Sequence, residues 1–137
     1  MYVGNAKRLN DVEITMPNNE IIMLRYRDPT PDEIRKYHSE SLQRKGNRVV
    51  IRYAETHEKY GLKILAGIRE GDFGIIGPDK KPVCVSSDPD SDFFRQDWKN
   101  LFAENALSAV IALGAHVFGG TEAGATDEVD GSDADRD

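Results

Sequence analysis

Four residues divide this chain into two regimes. Thr30-Pro31-Asp32-Glu33 reads as a helix start. Thr30 supplies a capping hydroxyl, Pro31 suits the first helical position, where an N–H has no partner in any case, and Glu33 sits where a capping-box carboxylate reaches back. On its N-terminal side the apolar residues Val12, Ile14 and Met16 recur at every second position. On its C-terminal side apolar residues recur at intervals of three and four. A fold that honours both periods has a sheet element followed by helices, so the sequence predicts an α+β domain.

The sheet element is a β-hairpin over residues 11–27. Val12, Ile14 and Met16 alternate with polar residues, and Ile21, Ile22, Met23, Leu24 and Tyr26 form a second run. Between them, Pro17-Asn18-Asn19-Glu20 carries turn chemistry, because Pro fixes φ and Asn tolerates positive φ.

The first helix shows Ile34, Tyr37, His38 and Leu42 on one face, with Gly46-Asn47 as its stop. From Val50 through Tyr53, Ala54, His57, Tyr60, Gly61, Ile64 and Leu65 to Ile68 the three–four spacing runs for about five turns, which predicts a second helix over 48–69. Its β-branched beginning, Val49-Val50-Ile51, also suits a strand; the longer period decides for helix. Gly61 weakens that helix by ~1 kcal/mol relative to Ala, or admits a close neighbour. Residues 71–87 read as a loop with a minor hairpin, Phe73 to Ile76 and Val83 to Val85 flanking a Gly- and Pro-containing turn. A last helical region starts near Ser91 or Asp92, carries Phe94, Trp98, Leu101 and Phe102, and continues to Val117 and Phe118 before Gly119-Gly120 stops it. It is one helix, or two with a break near Ala103-Glu104-Asn105. The expected fold is a single, mainly helical domain over 1–120, with three or four helices and an N-terminal β-hairpin.

Charge separates the remainder. Residues 121–137 contain seven acids against Arg136 alone, which accounts for the whole net charge of −6 and leaves 1–120 neutral. With Val129 as its one large aliphatic, this segment cannot offset ~1–2 kcal/mol of backbone entropy per residue, and is expected to be a disordered acidic tail. The neutral body has no basic excess, which argues against a nucleic-acid partner. Cys84 is alone, so no intrachain disulfide forms and a reducing compartment is expected. The first ten residues lack an apolar leader segment, and the apolar stretch 106–118 is too short to span a bilayer. The expectation is a soluble, cytoplasmic protein with no membrane partner.

No sequence motif carries chemistry. His57-Glu58 opens like a zinc-protease helix, but Gly61 stands where the second His belongs. Asp88-Pro89-Asp90-Ser91-Asp92 opens like a calcium loop, but Phe93 replaces the turn glycine and Lys99 the closing acid; an Asp-rich helix start is the plainer reading. Residues 74–81 lack phosphate-loop spacing, and Pro78 removes a donor such a loop needs. Asp72-Phe73-Gly74 matches a kinase tripeptide in isolation. The expectation is therefore no catalytic residues, no metal and no cofactor. Phe94, Trp98 and Phe102, beside Phe93, form the candidate protein-binding set, because aromatics dominate interface hot spots. At helical spacing the same set also reads as core.

Two stretches resemble the tail assembly chaperones of bacteriophages and prophages, small proteins made just before the tape-measure protein. One is Arg27-Asp28-Pro29-Thr30-Pro31-Asp32-Glu33-Ile34. The other is Asp97-Trp98-Lys99-Asn100-Leu101-Phe102-Ala103-Glu104-Asn105-Ala106, followed by an apolar helix ending at Val117-Phe118-Gly119-Gly120. The resemblance implies a non-enzymatic protein of a bacterial host's cytoplasm. It would bind the tape-measure protein and help recruit tail-tube subunits around it. Two other classes stay open: a small enzyme or ligand-binding domain whose site is assembled from His38, His57, His116 and distant acids, and an adaptor that oligomerises through the aromatic C-terminal helix.

Overall fold

The computed structural model describes residues 8–119. The acidic tail expected at 121–137 lies outside the described residues. As expected, the described residues begin with an antiparallel hairpin, β1 (Leu9–Thr15) and β2 (Ile21–Arg27), in a register that pairs Val12 with Leu24 and Ile14 with Ile22. Its turn holds Asn19 at φ 70, the left-handed backbone that the Asn-rich sequence accommodates. Val12, Ile14, Ile22 and Leu24 face the core, while Asp11, Glu13, Met23 and Arg25 alternate to the outer face.

Helix α1 (Pro31–Ser41) begins at the expected capping box. Thr30 Oγ1 accepts from the Glu33 amide at 3.1 Å, and Glu33 Oε1 accepts from the Thr30 amide at 2.9 Å. The same carboxylate receives both terminal nitrogens of Arg27, at 2.8 and 2.7 Å, so the end of β2 is clamped to the first turn of α1.

Beyond α1 the structure corrects the expectation twice. The first helix ends at Ser41, and Leu42 turns to extended backbone. Leu42–Lys45 (β3) and Arg48–Ile51 (β4) form a second hairpin around Gly46-Asn47, which is a turn and not a helix stop. Gly46 at φ 62 takes the first turn position, where only glycine is unstrained. The β-branched run Val49-Val50-Ile51 thus follows its strand preference. Helix α2 is confined to Tyr53–Ile64. Its apolar period seemed to continue, but Leu65–Ile68 (β5) is a strand that adds to β2, pairing Leu24 with Ile68 and giving sheet order β1-β2-β5. The inner edge of the first hairpin needs hydrogen-bond partners, and Gly67 is a poor helix former.

The minor hairpin is present as β6 (Gly74–Ile76) and β7 (Pro82–Cys84). The last helical region is two helices, α3 (Trp98–Asn105) and α4 (Leu107–Gly114), bent by 96° at Ala106; a π turn, Ala115–Gly119, continues α4. Its onset is later than expected, because 88–93 is taken up by Asp and Ser turns: the Asp90 amide donates to Asp88 Oδ1 and the Phe93 amide to Ser91 Oγ. The described residues therefore form one α+β domain with four α-helices and the N-terminal hairpin. No single helix among them is long and apolar enough to cross a membrane.

The core lies between the sheet and the helices: Ile22, Leu24, Tyr37, Tyr60, Ile64, Phe102, Val110, Leu113 and Phe118 are buried together. Its tightest contact is the crossing of α2 and α4. A Cβ on Gly61 would collide with the Val110 carbonyl oxygen, and one on Gly114 with the His57 carbonyl oxygen. Gly61 thus admits a close neighbour, as its place in the sequence suggested.

Two predictions follow from these contacts. The Arg27 guanidinium is the main cause holding Glu33 at a pKa of about 2, against a usual value of 4.5. The bridge is fully present above about pH 4.5 and is lost as pH falls toward 2. Glu33→Gln is expected to lower stability at neutral pH by about 1–2 kcal/mol after allowance for solvent screening, and to flatten the acid dependence in that window, measured by urea unfolding at several pH values. Gly114→Ala forces two backbones apart and is expected to destabilise by about 1–3 kcal/mol or more, read as a lowered Tm.

Candidate functional site

Polar contacts between α1 and α2 set the position of everything at that end of the molecule. Tyr37, fully buried, has its hydroxyl 2.8 Å from His57 Nε2, and the two rings stack. Ser41 Oγ donates to the Tyr37 carbonyl at 2.7 Å and lies 2.9 Å from Thr56 Oγ1. Farther out, Glu40 accepts from Lys59 Nζ at 2.8 Å and from the Tyr60 hydroxyl at 3.0 Å. Burial, then Glu40, push the Tyr60 phenol up to about 12, while Lys59 pulls Glu40 below its usual value. At neutral pH this phenol keeps its proton and donates it across the helix interface. It is a bridge, poorly suited to exchange protons with a substrate.

The three histidines contact aromatic rings. His57 stacks on Tyr37 and Tyr53, His38 meets the edge of Tyr37, and His116 the edge of Tyr26. Among the described residues no group of three His, Cys, Asp or Glu side chains is placed to hold a metal ion.

The structure places Phe94, Trp98 and Phe102 in three different environments. Phe102 is fully buried, edge-on to Phe73. Trp98 is half-buried against the core. Phe94 precedes α3, in a loop bridged to Ser86. Helical spacing placed the three on one stripe, but the helix begins only at Trp98. Exposure falls instead to Phe93.

Among the described residues, three exposed large hydrophobics lie together with unpaired charge on the β3–β4 hairpin, which sequence reasoning assigned to helix. Leu42 pairs with Ile51 and Arg44 with Val49, so these four share one face. Leu42, Val49 and Ile51 are 48, 65 and 68% exposed on it. The base is tied to the body by the Arg52 amide, which donates to the Ser41 carbonyl at 2.8 Å. The tip carries Arg44, Lys45 and Arg48. Among the described residues the hairpin pairs with no other strand, so both outer edges are open. The missed signal was Gly46-Asn47 flanked by Leu42 and the Val49-Val50-Ile51 run, the pattern of a two-residue hairpin turn.

A groove of about 590 Å³ on the outer face of the sheet gathers residues that are distant in sequence. It runs between Arg25, Arg69 and the 87–89 loop. Its charged groups, however, are stitched to the protein: Arg25 to Asp11, Arg69 to Asp72, and Glu70 to the hydroxyls of Ser86 and Ser91. Asp72 also accepts from the Met23 amide at 2.8 Å. These bonds brace the edge of the sheet.

Comparison with known proteins supplies no relative: no protein-family model, curated protein or solved structure matches the chain.

The distinction between core and surface is directly measurable. Phe102→Ala is expected to cost about 3–5 kcal/mol in urea unfolding. Ile51→Ser should stay within about 0.5 kcal/mol of the parent. A large loss from Ile51→Ser would mean that the hairpin face is packed in solution.

Proposed function

We propose that this chain works without catalysis, as a protein-binding protein of the phage tail-assembly type. It docks through the β3–β4 hairpin to the tape-measure protein, and tail-tube subunits are then recruited around the complex. The observation that carries this reading is the hairpin face itself: Leu42, Val49 and Ile51 stand exposed together on a ribbon with unpaired edges. A lone two-stranded ribbon is marginal in water, and complete burial of a large aliphatic side chain contributes about 1.5–3 kcal/mol. Covering this face therefore stabilises both the ribbon and the contact. A long amphipathic helix, such as a tape-measure protein presents, has the complementary apolar stripe and aggregates unless it is covered. The resemblance of residues 27–34 and 97–106 to tail assembly chaperones supports the same reading. Those stretches form the clamp between β2 and α1 and the helix α3 that carries Phe102 into the core.

The test is co-expression with a tape-measure protein encoded beside this gene, followed by affinity capture. Capture is expected from the parent, and a loss of at least about 10-fold from the combined Leu42→Ser, Val49→Ser, Ile51→Ser variant, with Tm unchanged. Undiminished capture by that variant would place the interface elsewhere. No capture by the parent would remove the assignment.

A further inference from the structure

The outward face of the β3–β4 ribbon is not purely apolar. Leu42 pairs with Ile51 and Arg44 with Val49, so Arg44 occupies one corner of a four-residue face. These four residues are exposed, whereas Gln43 and Val50, on the opposite face, are half-buried. The ribbon thus turns Gln43 and Val50 toward the body and the other two pairs toward solvent. Lys45 and Arg48 follow at the tip, paired across the Gly46-Asn47 turn. Residues 41–54 contain no acid. Among the described residues, no acid from elsewhere forms an ion pair with Arg44, Lys45 or Arg48.

Arg44 restricts what can cover this face. A chain laid on Leu42, Val49 and Ile51 also lies beside the Arg44 guanidinium and takes water from it. Desolvating a cation without a partner costs on the order of several kcal/mol. Complete burial of one large aliphatic contributes only about 1.5–3 kcal/mol. A neutral or basic cover therefore loses much of what the aliphatics offer. A carboxylate beside Arg44 reverses the balance, because its bond to a guanidinium is charge-assisted and can be bidentate. The two outward pairs lie ~7 Å apart along the ribbon, a span that between one and two turns of an α-helix cover. Acids a turn farther along such a helix then meet Lys45 and Arg48.

Other anionic surfaces match the ribbon less well. A bilayer would have to accept its unpaired backbone edges, which hydrocarbon cannot hydrogen-bond. A single-stranded nucleic acid needs aromatic rings to stack its bases, and residues 42–51 contain none.

We propose that the partner segment seated on this face is an acidic amphipathic helix. Its apolar stripe lies on Leu42, Val49 and Ile51, one carboxylate engages Arg44, and further carboxylates engage the Lys45–Arg48 tip. The place of docking rests on the function proposed above. The acidic requirement holds whichever protein supplies the helix.

Synthetic helical peptides that share one leucine stripe, flanked by Glu, by Gln or by Lys, are the probes. Titrated into the full chain, the Glu peptide is expected to shift the amides of residues 42–51. It should bind at least about 10-fold tighter than the Gln peptide, and weaken between about 50 and 500 mM salt. The Lys peptide should leave those amides unmoved. The combined Arg44→Gln, Lys45→Gln, Arg48→Gln variant should bind the Glu and Gln peptides equally. The charge-reversed Arg44→Glu, Lys45→Glu, Arg48→Glu variant should prefer the Lys peptide. If either variant melts below the parent, the parent's own ranking of the three peptides still decides. Equal binding of the Glu and Gln peptides by the parent, no binding of the Glu peptide, or shifts confined to the outer groove would overturn the proposal. These peptides carry no tape-measure sequence, so a failure here leaves the capture experiment above intact, and the reverse.

Discussion

Two helices cross here with no side chain between them. Gly61 of α2 and Gly114 of α4 each face a carbonyl oxygen of the other helix. Much of the core is positioned by that contact. It sets Tyr60 and Ile64 against Val110 and Leu113. It brings the π turn after α4 close enough for Phe118 to lie on Tyr37 and Tyr60. Tyr37 in turn anchors α1, and the end of α1 is the root of the β3–β4 hairpin. A chain of packed contacts therefore leads from a backbone-to-backbone crossing in the core to an exposed ribbon at the surface. The ribbon is held at its base and left open along its length.

The distribution of satisfied charge marks the same division. Where carboxylates and guanidinium groups lie over the sheet or at a helix start, they are tied to the body: Glu33 to Arg27, Asp72 to Arg69 and the Met23 amide, Asp11 to Arg25. Such groups define register and orientation, and have little left to offer a ligand. The hairpin tip is different. Its cations lie next to exposed aliphatics and lack described partners. Charge of this kind is suited to steering an approaching chain, and exposed aliphatics to a lasting contact. This contrast, more than the size of any cavity, favours a docking surface over the outer groove.

Much of the scaffold was legible from residue order. The capping box was readable because each of its residues has one job, and the N-terminal hairpin because alternation and turn chemistry agreed. The second hairpin was not, because Val50, Tyr53 and Ala54 satisfy a helical spacing while Val49-Val50-Ile51 satisfies a strand. The longer window outvoted the local signal, although Gly46-Asn47 was already a hairpin turn. The end of α2 failed for a related reason: Leu65 and Ile68 extend the helical pattern, and only the unpaired edge of β2, a feature of the fold and not of the segment, makes them a strand. The aromatic set shows where residue type stops being informative. Phe93 and Phe102 differ in sequence by nine positions and in environment completely, one half exposed and the other enclosed. Asp and Ser turns that delay α3 decide between them.

The central claim is that this protein acts through the β3–β4 ribbon on another protein chain. Hydrogen exchange of the parent protein, alone and mixed with the proposed tape-measure partner, tests it most directly. The account predicts strong new protection of residues 42–51 in the complex, with the strands lining the outer groove unchanged. Protection confined to residues 23–25 and 66–69, with 42–51 exchanging as fast as in the free protein, would contradict it.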